Sequence, residues 1–159
     1  MNLQPAIKTL ESKTLIGISR DMSITKDETG LLWRDFMPQF KALNSDQQHD
    51  FYSLQCYPKG YFNLFAPDNT FTKWAAVEPT KDIAIPESFK QFDFVGGLYA
   101  VFHYKGLSSD KRIFQYIYSQ WLPNSEYEID NRPHFELLGE KYKNNDPTSE
   151  ELIFIPIKK

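Results

Sequence analysis

The chain has 159 residues, enough for one domain with a substantial core and short for two. A formal net charge of −3 at pH 7, with lysines and arginines scattered, argues against direct nucleic-acid binding. The single cysteine excludes an internal disulfide, and no run is long and apolar enough to span a bilayer.

In chain order, Ala6 to Met22 is rich in extended-type residues, with Leu15-Ile16-Gly17-Ile18 at its centre, and reads as one strand. Asp27 and Thr29 are N-cap candidates for a helix carrying Leu32, Trp33, Phe36 and Phe40 at helical spacing. Pro38 is expected to end or kink that helix near Met37. Two strands follow, Phe51 to Tyr57 and Phe71 to Val77, with turn-rich sequence between them. After a linker around Pro79 to Ser88, Phe89 to Tyr104 reads as a long strand, with a bulge or bend at Gly96-Gly97. A second amphipathic helix bears Ile113, Ile117 and Trp121, flanked by Phe114, Tyr118 and Leu122, and stops at Pro123-Asn124-Ser125. Arg132 to Glu140 and Glu150 to Ile157 read as the last two strands.

The order strand, helix, strand, strand thus occurs twice, in pseudo-repeats at about 5–80 and 88–159. The expected fold is α+β, an internally duplicated single domain over residues 1–159. Both halves would form one antiparallel sheet with the two main helices on one face, leaving a ligand groove between them.

Within the strand around Phe135, alternation puts Glu136 on the face of His134 and Leu138. A carboxylate in an apolar strand is costly unless a cation or hydrogen-bond donor meets it, which makes Glu136 the first candidate for a ligand anchor. Aromatic residues, 16 % of the chain, fill cores and also line pockets for flat organic ligands. Trp33 and Phe36 on the first helix and Tyr118 and Trp121 on the second are candidate groove walls. Trp74 shares its strand face with the small Ala76, and Tyr127 and Phe154 fall near the anchor. Glu78, at a strand end in the matching half, is a candidate second anion. His103 and His134 lack a third ligand at metal-binding spacing, so no metal, no cofactor and no catalytic residue is assigned.

Four segments together resemble a known family. They are Leu31-Leu32-Trp33-Arg34-Asp35-Phe36-Met37-Pro38, Thr72-Lys73-Trp74-Ala75-Ala76-Val77-Glu78, Gly97 to Gly106, and Trp121-Leu122-Pro123-Asn124-Ser125 running into Arg132-Pro133-His134-Phe135-Glu136. In this order they resemble the effector-binding domains attached to AraC-type and MerR-type regulators. That family also has free-standing members similar to the DNA gyrase inhibitory protein and to drug-binding proteins of mobile gene cassettes, and this chain is similar to those. The resemblance implies a protein that holds lipophilic, often cationic, aromatic compounds between aromatic walls over a buried glutamate, for which Phe135-Glu136 matches the family position, and the single cysteine fits a reducing cytoplasm. Other readings stay open. One is a hydrolase of strained electrophilic small molecules. Another is an inhibitor or sensor working through a protein partner, such as a transcription regulator or DNA gyrase.

Overall fold

The computed structural model describes residues 3–159. Its strands are β1 (Ala6–Leu10), β2 (Lys13–Met22), β3 (Phe51–Cys56), β4 (Phe71–Val77), β5 (Lys90–Phe94), β6 (Gly97–Lys105), β7 (Glu128–Ile129), β8 (His134–Leu138) and β9 (Glu150–Lys158). Helix α1 spans Thr29–Lys41, and α2 spans Arg112–Tyr116 before running into a π turn at Ile117–Trp121. The strands form one antiparallel sheet in the order β1-β6-β9-β8-β3-β4-β2-β5, with β7 added against β9. This is the expected α+β architecture. Outward from the central β3–β8 pair, the two halves contribute β3-β4-β2 on one side and β8-β9-β6 on the other.

The two long strands expected over Ala6–Met22 and Phe89–Tyr104 are each broken into two. The ladder nevertheless keeps its register across both breaks, from Leu10 opposite Gly97 to Lys13 opposite Phe94. At the crossing the Gly96 N–H donates to Ser12 Oγ at 3.0 Å, and a Cβ on Gly96 would collide with the Leu10 carbonyl oxygen. Glycine is therefore required there by close backbone approach. Because β1 continues into β2 and β5 into β6, the sheet rolls until its ends meet. The enclosed face is packed with Leu15, Tyr52, Leu54, Phe94, Tyr99, Phe135 and Phe154. Phe94, from the end of the sheet order, meets Phe135 from its centre at 5.4 Å.

The other face carries the helices. Leu32 and Phe36 of α1 pack on Ile16, Ala75 and Val77, while Ile113 and Ile117 pack on Phe102, Ile153, Ile155 and Ile157. Pro38 does not end α1, which continues to Lys41 with the Ala42 N–H bonded to the Pro38 carbonyl. Pro38 and Arg34, whose carbonyl the missing N–H would have met, both lie on the exposed side of the helix. Asp27 Oδ1 accepts the Thr29 N–H at 2.9 Å, satisfying an orphan donor at the helix start. Among the described residues no helix is long and apolar enough to cross a membrane.

Candidate functional site

Between the start of α1 and the face of α2 the sheet is uncovered, leaving a cavity of about 900 Å³. Its floor follows from strand register. Lys73 on β4 lies opposite Gln55 on β3, and Gln55 opposite His134 on β8. On the next rung Glu136 sits between Ser53 and Ile153. Strict alternation sends Phe135 and Leu137 into the enclosed core and turns His134 and Glu136 toward the helices. Glu136 is half-buried rather than fully buried, so its carboxylate is both partly desolvated and reachable.

The walls come from three segments. The β2–α1 connection supplies Ser23, Ile24 and Asp27, and the first residue of α1 supplies Thr29. The second helix supplies Phe114, Gln115, Tyr118 and Ser119, with Lys111 just ahead of it. The β3–β4 connection supplies Tyr57, Phe62 and Phe65. The π turn, marked by the Leu122 N–H reaching the Ile117 carbonyl at 2.9 Å, carries Tyr118 and Ser119 on the cavity side.

Around Glu136 the polar groups are organised. Burial, then the positive charge of Arg132, pushes His134 down to about 3, so its ring is neutral at physiological pH. Tyr118 Oη lies 3.0 Å from His134 Nδ1. Burial, then the charge of Glu136, holds the Tyr118 phenol well above its usual range, so it keeps its proton and donates to that nitrogen. Tyr57 meets the imidazole edge-on with ring centroids 4.9 Å apart, and Phe62 stacks on it at 5.4 Å. Lys73 Nζ donates to Thr29 Oγ1 at 3.1 Å. Burial lowers the Lys73 ammonium pKa, an effect opposed by the charges of Glu136 and Asp27. The site therefore offers an aromatic-walled cleft, one half-buried carboxylate beside a neutral imidazole, and ammonium groups from Lys73 and Lys111.

Of the candidate residues, Glu136, Tyr118 and Phe154 line this cavity, although the Phe154 ring stacks on Phe135 at 4.3 Å in the enclosed core. Trp74 does not line it. Paired with Leu54, it faces the other side of the sheet, where it packs on Phe92. Glu78 points the same way as Trp74 and meets Lys13 Nζ at 3.6 Å and the Tyr52 hydroxyl at 3.2 Å. Trp33 and Phe36 pack edge-to-face in the core beneath α1, at 5.4 Å. Trp121 packs edge-on against Phe102 and stacks on Tyr127, so both lie in the core under the second helix. Stripes that make these residues good helix cores point them at the sheet, away from the opening.

Sequence reasoning passed over Lys73, Lys111 and the aromatic loop. Lys73 shows the signal that singled out Glu136, a charge within an apolar strand. The loop signal is four rings within nine residues, at Tyr57, Tyr61, Phe62 and Phe65. Among the described residues no group of three or more His, Cys, Asp or Glu is placed to hold a metal ion.

Comparison with known proteins gives a consistent answer. The model of the integron-associated effector binding protein family matches residues 6–157. A Vibrio cholerae integron cassette protein superposes with a TM-score of 0.66 at 14 % identity, over 99 % of this chain and 100 % of that one. The structure of SAV2435 bound to tetraphenylphosphonium superposes with a TM-score of 0.64 at 19 % identity, over 98 % and 94 %. The C-terminal domain of EcmrR does so with a TM-score of 0.65 at 12 % identity, over 100 % and 99 %. At such identities these structures establish the fold alone. No curated protein matches the chain.

Proposed function

The chain belongs to the integron-associated effector-binding family, and from that premise we propose that it captures lipophilic, cationic aromatic compounds in the cavity over Glu136. The observation that carries this reading is the half-buried Glu136 carboxylate at the floor of a cleft of about 900 Å³ walled by Phe62, Phe65, Phe114 and Tyr118. That volume lies within the usual range for drug-sized ligands. A partly desolvated carboxylate attracts a cation more strongly than one in bulk water, because the surrounding dielectric is lower. Each ring face set against the cation adds roughly 0.5–2 kcal/mol. Rings also tolerate varied ligand shapes, which suits broad recognition. Tetraphenylphosphonium, bound in one structure of the same fold, has this chemistry and serves as the probe.

The test is calorimetric titration with tetraphenylphosphonium and with triphenylphosphine oxide, a neutral compound carrying three phenyl groups on phosphorus. The expected result is saturable binding that favours the cation. Glu136→Gln should remove on the order of 1–3 kcal/mol from the cation and little from the neutral compound. Equal loss for both compounds, or none for either, would sink the assignment of Glu136. Ligand recovered chemically altered would instead favour a hydrolase.

A further inference from the structure

Glu136 has a carboxyl neighbour that the reading above does not use. Glu151 lies on β9, on the same sheet face as Glu136 and diagonally across from it, since Glu136 is opposite Ile153 and Leu137 opposite Leu152. Glu151 does not line the cavity and is only 6 % exposed, set behind Glu136. The groups facing it are Glu136 from β8, Lys73 from β4, Lys111 ahead of α2, Tyr104 from β6 and Tyr142 from the segment before β9. Burial raises both phenols, so they stay protonated through neutral pH. Burial first, then the charge and hydrogen bonding of Glu136, pushes the Glu151 carboxyl far enough up to keep its proton at neutral pH.

With Glu151 neutral, the charged groups lining the cavity balance. Asp27 and Glu136 are matched by Lys73 and Lys111. A cation entering beside Glu136 adds one uncompensated positive charge to the cleft. It also stabilises the ionised form of any carboxyl close by. Among the described residues, Glu151 is the buried carboxyl diagonal to Glu136 that still has a proton to give.

Resting on the function proposed above, we propose that Glu151 is a positioning residue acting through Glu136, and that the groove binds its cationic ligand in exchange for the Glu151 proton. In the exchange the Glu151 O–H bond breaks, the electron pair stays on the carboxylate and the proton passes to solvent. The bound state then holds fewer protons than the free state, so affinity for a cation rises with pH. The limiting slope is about tenfold per pH unit for one proton. A neutral aromatic compound releases none.

The experiment is calorimetric titration of the full chain with tetraphenylphosphonium at pH 7, in buffers of different ionisation enthalpy. Wild type should release about one proton per cation bound, and triphenylphosphine oxide should release none. Glu151→Gln should still bind the cation while releasing close to none. A purely structural role for Glu151 would not move that proton count. Cation binding without proton release overturns the Glu151 proposal and leaves the groove reading intact. Continued release from Glu151→Gln also overturns it and points to Lys73 as the source. Failure of the cation to bind wild type overturns the groove reading and this proposal together. Should Glu151→Gln fail to fold, carbon-13 carboxyl spectra of the wild type decide the matter. Glu151 should change from protonated to ionised on adding the probe, and an unchanged resonance overturns the proposal.

Discussion

The two faces of the central strands share a backbone and differ in everything else. On the enclosed face, β3 and β8 present Tyr52, Leu54 and Phe135, packed ring against ring with Tyr52 and Phe135 centroids 5.4 Å apart. On the helix face the same strands present Ser53, Gln55, His134 and Glu136 beneath an open cleft. The difference teaches that the two-residue period of the strand separates the packed core from the lining of the cleft. One residue's step decides whether a side chain holds the fold together or faces the cleft.

The strongest way to break this comparison is at the enclosed face. Phe135→Ala removes a buried ring stacked on Phe154 and edge-on to Phe94, and should cost about 3–5 kcal/mol of unfolding free energy in a urea titration. Its neighbour should behave oppositely. Glu136→Gln is expected to leave the urea midpoint nearly unchanged while weakening tetraphenylphosphonium by about 1–3 kcal/mol. If the two substitutions gave the same pattern, the separation of faces would be wrong.

His134 sharpens the comparison through pH. Its imidazole pKa lies at about 3 in the folded chain against the ordinary 6.5, so the unfolded chain binds the proton first as pH falls. Stability should therefore be unaffected by this group above pH 6.5 and decline between 6.5 and 3, by up to about 1.4 kcal/mol per unit. In His134→Gln that portion of the acid slope should disappear, measured as urea midpoints from pH 7 to 5. The smallest effect is expected from Phe62→Ala in the aromatic loop. Phe62 is 37 % exposed, so its loss should hardly affect folding, while ligand affinity falls by about 0.5–1.5 kcal/mol. An unchanged affinity would remove the loop from the binding wall.

Much of the fold was legible in the residues, because hydrophobic period alone separates strands from helices. β3, β4, β8, β9 and both helices occur where period and turn residues predicted them. The single breaks in the two long strands were harder to read. They arise where two chain segments cross, and Gly96 hinted only at a local bend. The site divides along the same line. Glu136 could be picked out because a carboxylate among Phe135, Leu137 and Leu138 violates a local pattern. Trp33, Phe36 and Trp121 were expected at the groove because they stand on amphipathic stripes. Such a stripe shows which face of a helix is buried, without distinguishing buried against a core from buried against a ligand.

What the sequence by itself determined is the alternation along each strand, and with it the choice of Glu136 over Phe135 as the residue turned out of the enclosed core. Side-chain direction there is a property of consecutive backbone units and needs no distant partner. Only the tertiary structure decided who else faces the cavity. Lys73 comes onto the same rung as His134 through the registers of β4 with β3 and of β3 with β8, Glu151 comes behind Glu136 through that of β8 with β9, and Phe62 reaches His134 by stacking. These neighbours are set by long-range pairing of strands, and pairing is fixed by the rolled sheet as a whole rather than by any stretch of residues within it.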